Sequence, residues 1–500
     1  MPAIAGPAVE QWDAVVIGGG VSGLVAARDL AAGGLRTLVL EGRATAGGAV
    51  GRHELAGLTL DSGAESFATR GGAVAELARE LGLSARVTPP EPRGAWVQLP
   101  QGAGPLPRAG VLGIPTSPWA PDVRRTVGLL GAVRASVDRV LPASWGAREH
   151  DGSPVTLGAL VRRRMGGRVL ERLVRPVVAG VHAADPDDIA VDAVSPGLRA
   201  ALADRGSLAA AVRSLRAAVP AGSAVAGFDG GLHVLVDALL ADLAGRGAQA
   251  RTGSRAVEAR RAPGALGTAE APGTDAAPTG VGPTARAPFE VVVEDAHGTT
   301  SVVRADRLVV ATPAAVDLLR DVAPGLANVA LDPGAEVTLV TLVLDAPALD
   351  SAPRGTGVLV SPAARGVRAK ALTHATAKWA WLARAAGPGR HVVRLSYGMA
   401  GDGPAPSALS DDELVAVALR DASVLLGTPL GQDQLVASAR VAWSQSLPRP
   451  SGAHREAVAR VRAAASTVPG LAVCGAWVAG NGLASVVPDA RAAVRSLSSP

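Results

Sequence analysis

Gly18, Gly20 and Gly23 stand in the spacing G-x-G-x-x-G at the end of an apolar run, Ala14 to Ile17, with Gly19, Val21 and Ser22 between them. A backbone that bare at a strand-to-helix turn suits a phosphate. The first glycine permits a tight turn, the second lets the chain approach a pyrophosphate, and the third lets the helix pack close to the strand, so that its leading N–H groups face the anion. A lone motif of this kind can also be an ordinary glycine-rich turn, and the context decides. A helical pattern over Ser22 to Ala32 ends at Gly33–Gly34, and a second strand, RTLVLE, leads into Glu41 and Gly42. A carboxylate about 20 residues beyond the glycines is positioned to take a ribose hydroxyl. No second G-x-G-x-x-G follows a buried strand, which favours a flavin reduced by its own substrate and reoxidised by an external acceptor over a reductase with two nucleotide sites.

The rest of the composition narrows the chemistry. The single cysteine, Cys474, excludes an internal disulfide and a multi-cysteine zinc site, and no metal is expected. A net charge of +5 comes from 47 Arg and 2 Lys scattered among 44 acids, and aromatic residues are 2% of the chain, so base stacking and nucleic-acid binding are not expected. One local concentration stands out: VRRRMGGRVLERLVRPVV sets Arg164, Arg168, Arg172 and Arg175 at helical spacing along one face. A solvated helix face is the plain reading, contact with anionic lipid headgroups or a partner the sharper one.

The elements that must position these residues follow from length and pattern. Five hundred residues, 48% hydrophobic and 19% charged, imply a globular chain of two or three subdomains. The pattern predicts a discontinuous α/β Rossmann-like nucleotide-binding domain (1–85, 226–325 and 441–500), a helical subdomain (86–225) and a β-rich substrate domain (326–440). The Pro/Gly/Ala/Thr-rich stretch 262–288 cannot bury apolar surface and is expected to be a disordered loop. Ala463 to Pro488 carries no charge, yet Gly475, Gly480, Gly482 and Pro488 divide it into strand, turn and helix start, not a membrane span. The first residues, MPAIAGPAVEQWD, lack a basic start and a long apolar run, so no secretory signal is expected.

Taken with VVIGGGVSGL, Glu41 and Gly47–Gly48, the stretches LDSGAESF (60–67), KALTHATAKWAWL (370–382), AWSQSLPRPSGAH (442–454) and GAWVAGNGLASVV (475–487) resemble the flavin-dependent protoporphyrinogen/coproporphyrinogen III oxidases, within the wider amine-oxidase-like FAD superfamily. The resemblance implies FAD, with Gly18 to Gly23 on the pyrophosphate, Glu41 on the adenosine ribose, and Gly48 and the turn Gly63, Ala64, Glu65 and Ser66 lining the cofactor. It puts the backbone of Val257 at adenine, and Trp443, Val486 and Val487 beside the isoalloxazine, where backbone N–H groups can stabilise the reduced ring. For the substrate, it implies a porphyrinogen held by Arg93 and Arg70, whose planar forks suit propionates, and by a turn at Gly180, Val181 and His182. His182 stands where relatives carry Tyr or Phe and is read as a packed histidine in preference to a polar contact. Ala49 follows Gly48 where many relatives carry a basic residue.

The family's reaction removes hydride to flavin N5 in three rounds, with oxygen the usual acceptor, and no side-chain base is assigned. Coproporphyrinogen III is favoured over protoporphyrinogen IX by analogy with Arg-rich actinobacterial relatives, not from the pocket. The expected setting is the cytoplasm, with a ferrochelatase as a transient partner and peripheral contact with the inner face of the membrane. Three rivals remain: an amine oxidase, which would need an aromatic cage from a chain with one Tyr and three Phe; a carotenoid-type desaturase with an apolar tunnel; and a non-catalytic porphyrin or flavin carrier.

Overall fold

The computed structural model describes residues 9–146, 154–182, 185–217, 224–262, 288–326, 329–331, 335–398, 406–447 and 452–497. The predicted loop 262–288 falls almost wholly outside them.

Uninterrupted burial of Ala14 to Ile17 in the first strand, Glu10–Ile17, makes it the centre of a sheet covered on both faces. Ala14 and Val16 enter one core with the helices Val21–Ala32, Val234–Gly245 and Leu483–Ser496, while Val15 and Ile17 enter another with the helix Gly452–Ser466. The parallel order is Gln249–Arg251, Thr37–Leu40, Glu10–Ile17, Thr300–Val310 and Leu471–Val473. Thr300–Val310 does double duty on its far edge: its first half pairs antiparallel with Phe289–Asp295, itself paired to Ser254–Arg261, and its last residues pair with Leu471–Val473. Four segments far apart in sequence therefore close one sheet.

The second sheet runs Leu435–Leu447, Ala335–Asp345, Arg390–Tyr397, Ala371–His374, Gly357–Val360, Trp96–Leu99, Gly102–Pro105. Its last two strands come from the stretch expected to be helical, because WVQL and GAGP are too short to show a period of their own. Its strand Leu435–Leu447 likewise carries Trp443, which the sequence reading put in the nucleotide-binding part. One face packs on the helix Asp411–Leu426. The helical layer, with helices Pro121–Ser136, Leu157–Met165, Arg175–His182, Leu198–Arg205 and Leu208–Ala217, encloses its own core around Leu160, Leu170 and Val174. The uncharged segment near the C-terminus is strand Leu471–Val473, a short helix Ala476–Ala479 and helix Leu483–Ser496, and no described helix is long and apolar enough to cross a membrane.

Candidate cofactor and substrate site

At the head of the first helix, Gly18 holds φ 105°, and a Cβ on Gly23 would lie 1.9 Å from the Gly18 carbonyl oxygen, so no other residue fits there. The N–H groups of Gly20, Ser22 and Gly23 have no acceptor among the described residues, leaving a row of open donors at a helix N-terminus. Gly48 backs this row, its Cβ position 3.1 Å from the Gly20 Cα. Glu41 ends the second parallel strand and accepts from the N–H of Gly19 and of Arg43, both at 2.8 Å, which fixes its carboxylate beside the cradle. Next to it Gly42 packs on Arg255, and Val257 is the extra residue of a β-bulge between the pairs Ala256–Val293 and Glu258–Val292. A bulge leaves the residue's own N–H and C=O out of the ladder, where a ring edge can meet them. Bare donors, a fixed carboxylate and a bulged backbone in one line fit a pyrophosphate, a ribose and an adenine.

The other half of the site is a sheet face. Across the second sheet, Trp443 sits opposite Val337, and the registered rows Thr341–Arg394–Thr373 and Leu339–Ser396–Ala371–Leu359 point to the same side. Leu339, Arg394, Ser396, Ala371, Thr373 and Leu359 stay half-buried, unlike the closed face behind them. The loop 61–65 sits against this face. A Cβ on Gly63 would fall 2.1 Å from the Ala49 oxygen and 3.1 Å from the Trp443 ring, and Ala64 N–H donates to Ala49 at 2.8 Å. Trp443 Nε1 donates to the Ser62 carbonyl at 3.4 Å, while the Arg43 guanidinium lies 5.0 Å over its ring, tying the Glu41 end to the sheet. Ser66 is half-buried on the same turn.

Two residues that the sequence reading did not assign hold the halves together. Arg394 donates to the carbonyls of Asp61 (3.2 Å) and Gly63 (2.7 Å) and pairs with Glu65 (3.1 Å); Lys378 Nζ reaches the other Glu65 oxygen at 2.6 Å. Glu65 is therefore a latch, not an open lining group. Burial pushes its carboxyl up, and the charges of Lys378 and Arg394 more than reverse that, leaving it below the ordinary carboxylate range. Burial and the Arg394 charge lower the His53 imidazole, whose Nε2 has no hydrogen-bond partner among the described residues. A small cleft opens beside the latch, lined by Leu60, Thr341, Trp379 and Trp381 among others. The sequence did carry a signal: Arg394 interrupts the apolar alternation RHVVRLSY, and Lys378 is one of only two lysines.

The other expected site residues fall as follows. Val486 and Val487 do not offer free N–H groups: Val486 N–H is taken by the Gly482 carbonyl at 3.1 Å, and Val487 is buried in the core of the nucleotide half. The open donors at that helix start are Leu483 and Ala484, because an α-helix leaves its first N–H groups unpaired. Arg93 lies at the end of the second sheet, where burial, His391 and the Arg93 charge bring His374, whose registered partner Val393 belongs to the closed core, down to about 3. Arg70 is exposed on the loop after Phe67–Ala68, and neither guanidinium has a hydrogen bond or ion pair among the described residues. Gly180 belongs to the helix Arg175–His182 and touches Leu359, where a Cβ would come within 2.7 Å of Cδ2, so this helix covers the far end of the open face. The backbone of Val181 and His182 ends that helix; their side chains lie outside the described residues.

The arginine series is not one solvated face. Gly166 (φ 90°) and a π-helical turn at Leu170–Val174 break the helical phase. Arg164 is fully buried, its Nε 2.5 Å from Asp138 and its other donors on the carbonyls of Asp138, Pro142 and Gly206. Arg168 and Arg172 donate to the carbonyls of Val127 and Thr126, freed where Gly128 (φ 76°) kinks the neighbouring helix, and Arg175 is paired with Glu171, Asp185 and Asp187. These side chains bind the helical layer to itself.

Residues 21–495 match the family model described as flavin containing amine oxidoreductase. The chain is 31% identical to the coproporphyrinogen III oxidase of Mycobacterium leprae over 96% of this chain and 97% of that one. It is 26% identical to the coproporphyrinogen III oxidase of Bacillus subtilis over 96% of each. The chloroplastic protoporphyrinogen oxidase of Nicotiana tabacum matches at 26% identity, over 97% of this chain and 85% of its own. Among solved structures, an Exiguobacterium sp. 255-15 protein superposes with a TM-score of 0.75 at 23% identity, covering 98% and 99% of the two chains, and a reduced UDP-galactopyranose mutase with 0.64 at 14% identity, covering 97% and 93%. At those identities the structures speak for the fold, which carries several chemistries.

Proposed function

The chain belongs to the flavin containing amine oxidoreductases and is an FAD-dependent oxidoreductase, and on that premise we propose that it oxidises coproporphyrinogen III to coproporphyrin III with molecular oxygen as acceptor. The observation that carries the choice of substrate is the name shared by the relatives that match nearly the whole chain. The geometry supports it with a broad, half-buried sheet face opposite the phosphate cradle, where a cofactor ring and a flat macrocycle can lie together.

In this reading Gly20, Ser22 and Gly23 donate to the pyrophosphate, Glu41 holds the ribose and the bulged backbone at Val257 meets adenine. The turn 63–66 and Trp443 would border the flavin ring, and the N–H groups of Leu483 and Ala484 would take the role first given to Val486 and Val487, of stabilising the ring when reduced. FAD supplies the acceptance of two electrons per round, and three rounds remove the six electrons and six protons that separate porphyrinogen from porphyrin. Three molecules of oxygen carry those away as hydrogen peroxide. The protein orients and excludes water: the helix ending at His182 roofs the far end of the face, and the exposed guanidinium groups of Arg93, at the end of that sheet, and Arg70, on the loop after Phe67–Ala68, take propionates as bidentate partners. The enzyme works in the cytoplasm, and a ferrochelatase receives the product by transient contact.

The test is anaerobic. Mixing the FAD-loaded protein with coproporphyrinogen III bleaches the flavin absorbance, and air then restores it as coproporphyrin fluorescence appears. Faster bleaching by protoporphyrinogen IX would move the substrate to the two-propionate ring, and no bleaching by either would end the oxidase reading.

A further inference from the structure

At the edge of the first sheet an ion pair that the strand register would allow is not made. Ser254–Arg261 and Phe289–Asp295 run antiparallel, and two Arg–Glu couples stand directly opposite each other on them, Arg260 with Glu290 and Arg255 with Glu294. Opposed side chains on such a ladder are about 5 Å apart at Cβ, close enough for opposite charges to join. Arg260 does so, its Nε 2.9 Å from the Glu290 carboxylate, and Arg261 lies 5.2 Å over the Phe289 ring. The exposed guanidinium of Arg255 has no hydrogen bond or ion pair among the described residues, with Glu294 or any other.

The stem of Arg255 is laid in another direction. The turn before it is stitched to the end of the second parallel strand: Glu41 N–H donates to the Arg251 carbonyl at 2.9 Å, Gly253 N–H to that of Arg43 at 2.7 Å, and Ser254 N–H to that of Glu41 at 2.8 Å. This holds Arg255 against Gly42, where a Cβ would meet its Cβ, Cγ and Cα at 3.5, 3.6 and 3.7 Å. Two residues on, the bulge takes the backbone of Val257 out of the ladder and leaves its side chain 39% exposed. The Glu41 carboxylate is committed to the N–H groups of Gly19 and Arg43. A bare glycine, a bulged backbone and a guanidinium without a counter-charge therefore meet just beyond the ribose end of the cradle.

We propose that Arg255 closes over the adenine ring of the cofactor. A planar cation on the face of a flat ring is attracted without a counter-charge, so the arginine has no need of Glu294. The pyrophosphate has its own donors, the N–H groups of Gly20, Ser22 and Gly23, on the other side of Glu41. The assignment rests on the reading that puts adenine at the backbone of Val257, and it makes Arg255 a residue that holds the cofactor and takes no part in the oxidation.

Release of FAD from the holoenzyme tests this. After dilution, flavin fluorescence rises about tenfold faster in Arg255→Ala than in wild type. Arg255→Lys, which keeps the charge and loses the plane, stays within about threefold of Arg255→Ala. Roughly 0.5 M salt leaves these ratios in place, because the contact is with a neutral ring, and the Tm of the FAD-free chains is the same in all three. Equal release from wild type and Arg255→Ala would overturn the assignment. So would a full rescue by lysine that salt abolishes, which would put the guanidinium on a phosphate. A wild type that purifies with FMN in place of FAD would remove the adenine site itself, and Arg255 would lose its ligand with it.

Discussion

Glu65 concentrates the electrostatics of the site in one carboxylate. With its side chain 11% exposed and two cations on it, replacement by Gln leaves Lys378 and Arg394 buried against a neutral group, a change that costs about 3 kcal/mol in comparable pairs. The pH dependence follows from the lowered carboxyl. An acid whose folded value lies below its unfolded value stabilises the fold fully above the unfolded value, and loses that contribution as pH falls through the folded one. Denaturant unfolding of wild type and Glu65→Gln should therefore differ by the full amount at pH 7, with the gap closing below about pH 4; a gap constant with pH would mean that the latch is not ionic. Of this latch the sequence showed only Glu65, as a lining residue. Its cations lie more than 300 residues away, and partners at that distance leave no local pattern.

At the scale of elements, local signals were read well and phase over distance was not. The strand–glycine–helix head and the alternating run AEVTLVTLVLD were legible because one period governs each of them. The arginine series was misread because helical spacing was carried through Gly166 and a π-helical turn, after which residues of one nominal face point in different directions. The N–H of Val486 is taken within its helix for a related reason: a motif gives the helix, but which of its N–H groups remain open depends on where its first turn begins. The helical layer should be sensitive at its hub. Arg164→Met leaves Asp138 buried without its cation, and thermal or denaturant unfolding should show a loss of about 3–5 kcal/mol. Adding Asp138→Leu should return part of it. A single substitution with no effect would show that the hub is not what holds these helices.

For the whole molecule, the decisive feature is that the cofactor half is assembled from distant pieces. The first strand takes Thr37–Leu40 on one edge and Thr300–Val310 on the other, and the last parallel strand and the third core helix come from Leu471–Val473 and Leu483–Ser496. A chain stopped at residue 450 keeps the glycine motif and Glu41 and should not retain FAD through gel filtration, read as the ratio of flavin to protein absorbance. Retained flavin would mean that the cradle closes without its C-terminal pieces. During synthesis the same layout sets a clock. At ribosomal speeds of roughly 5–20 residues per second, the codons for Leu471–Val473 are reached about 25 to 95 seconds after the start. For most of that interval the nascent first strand has one edge paired and the other bare, so holdase chaperones and cool, slow expression should raise the yield of native enzyme more than added flavin does.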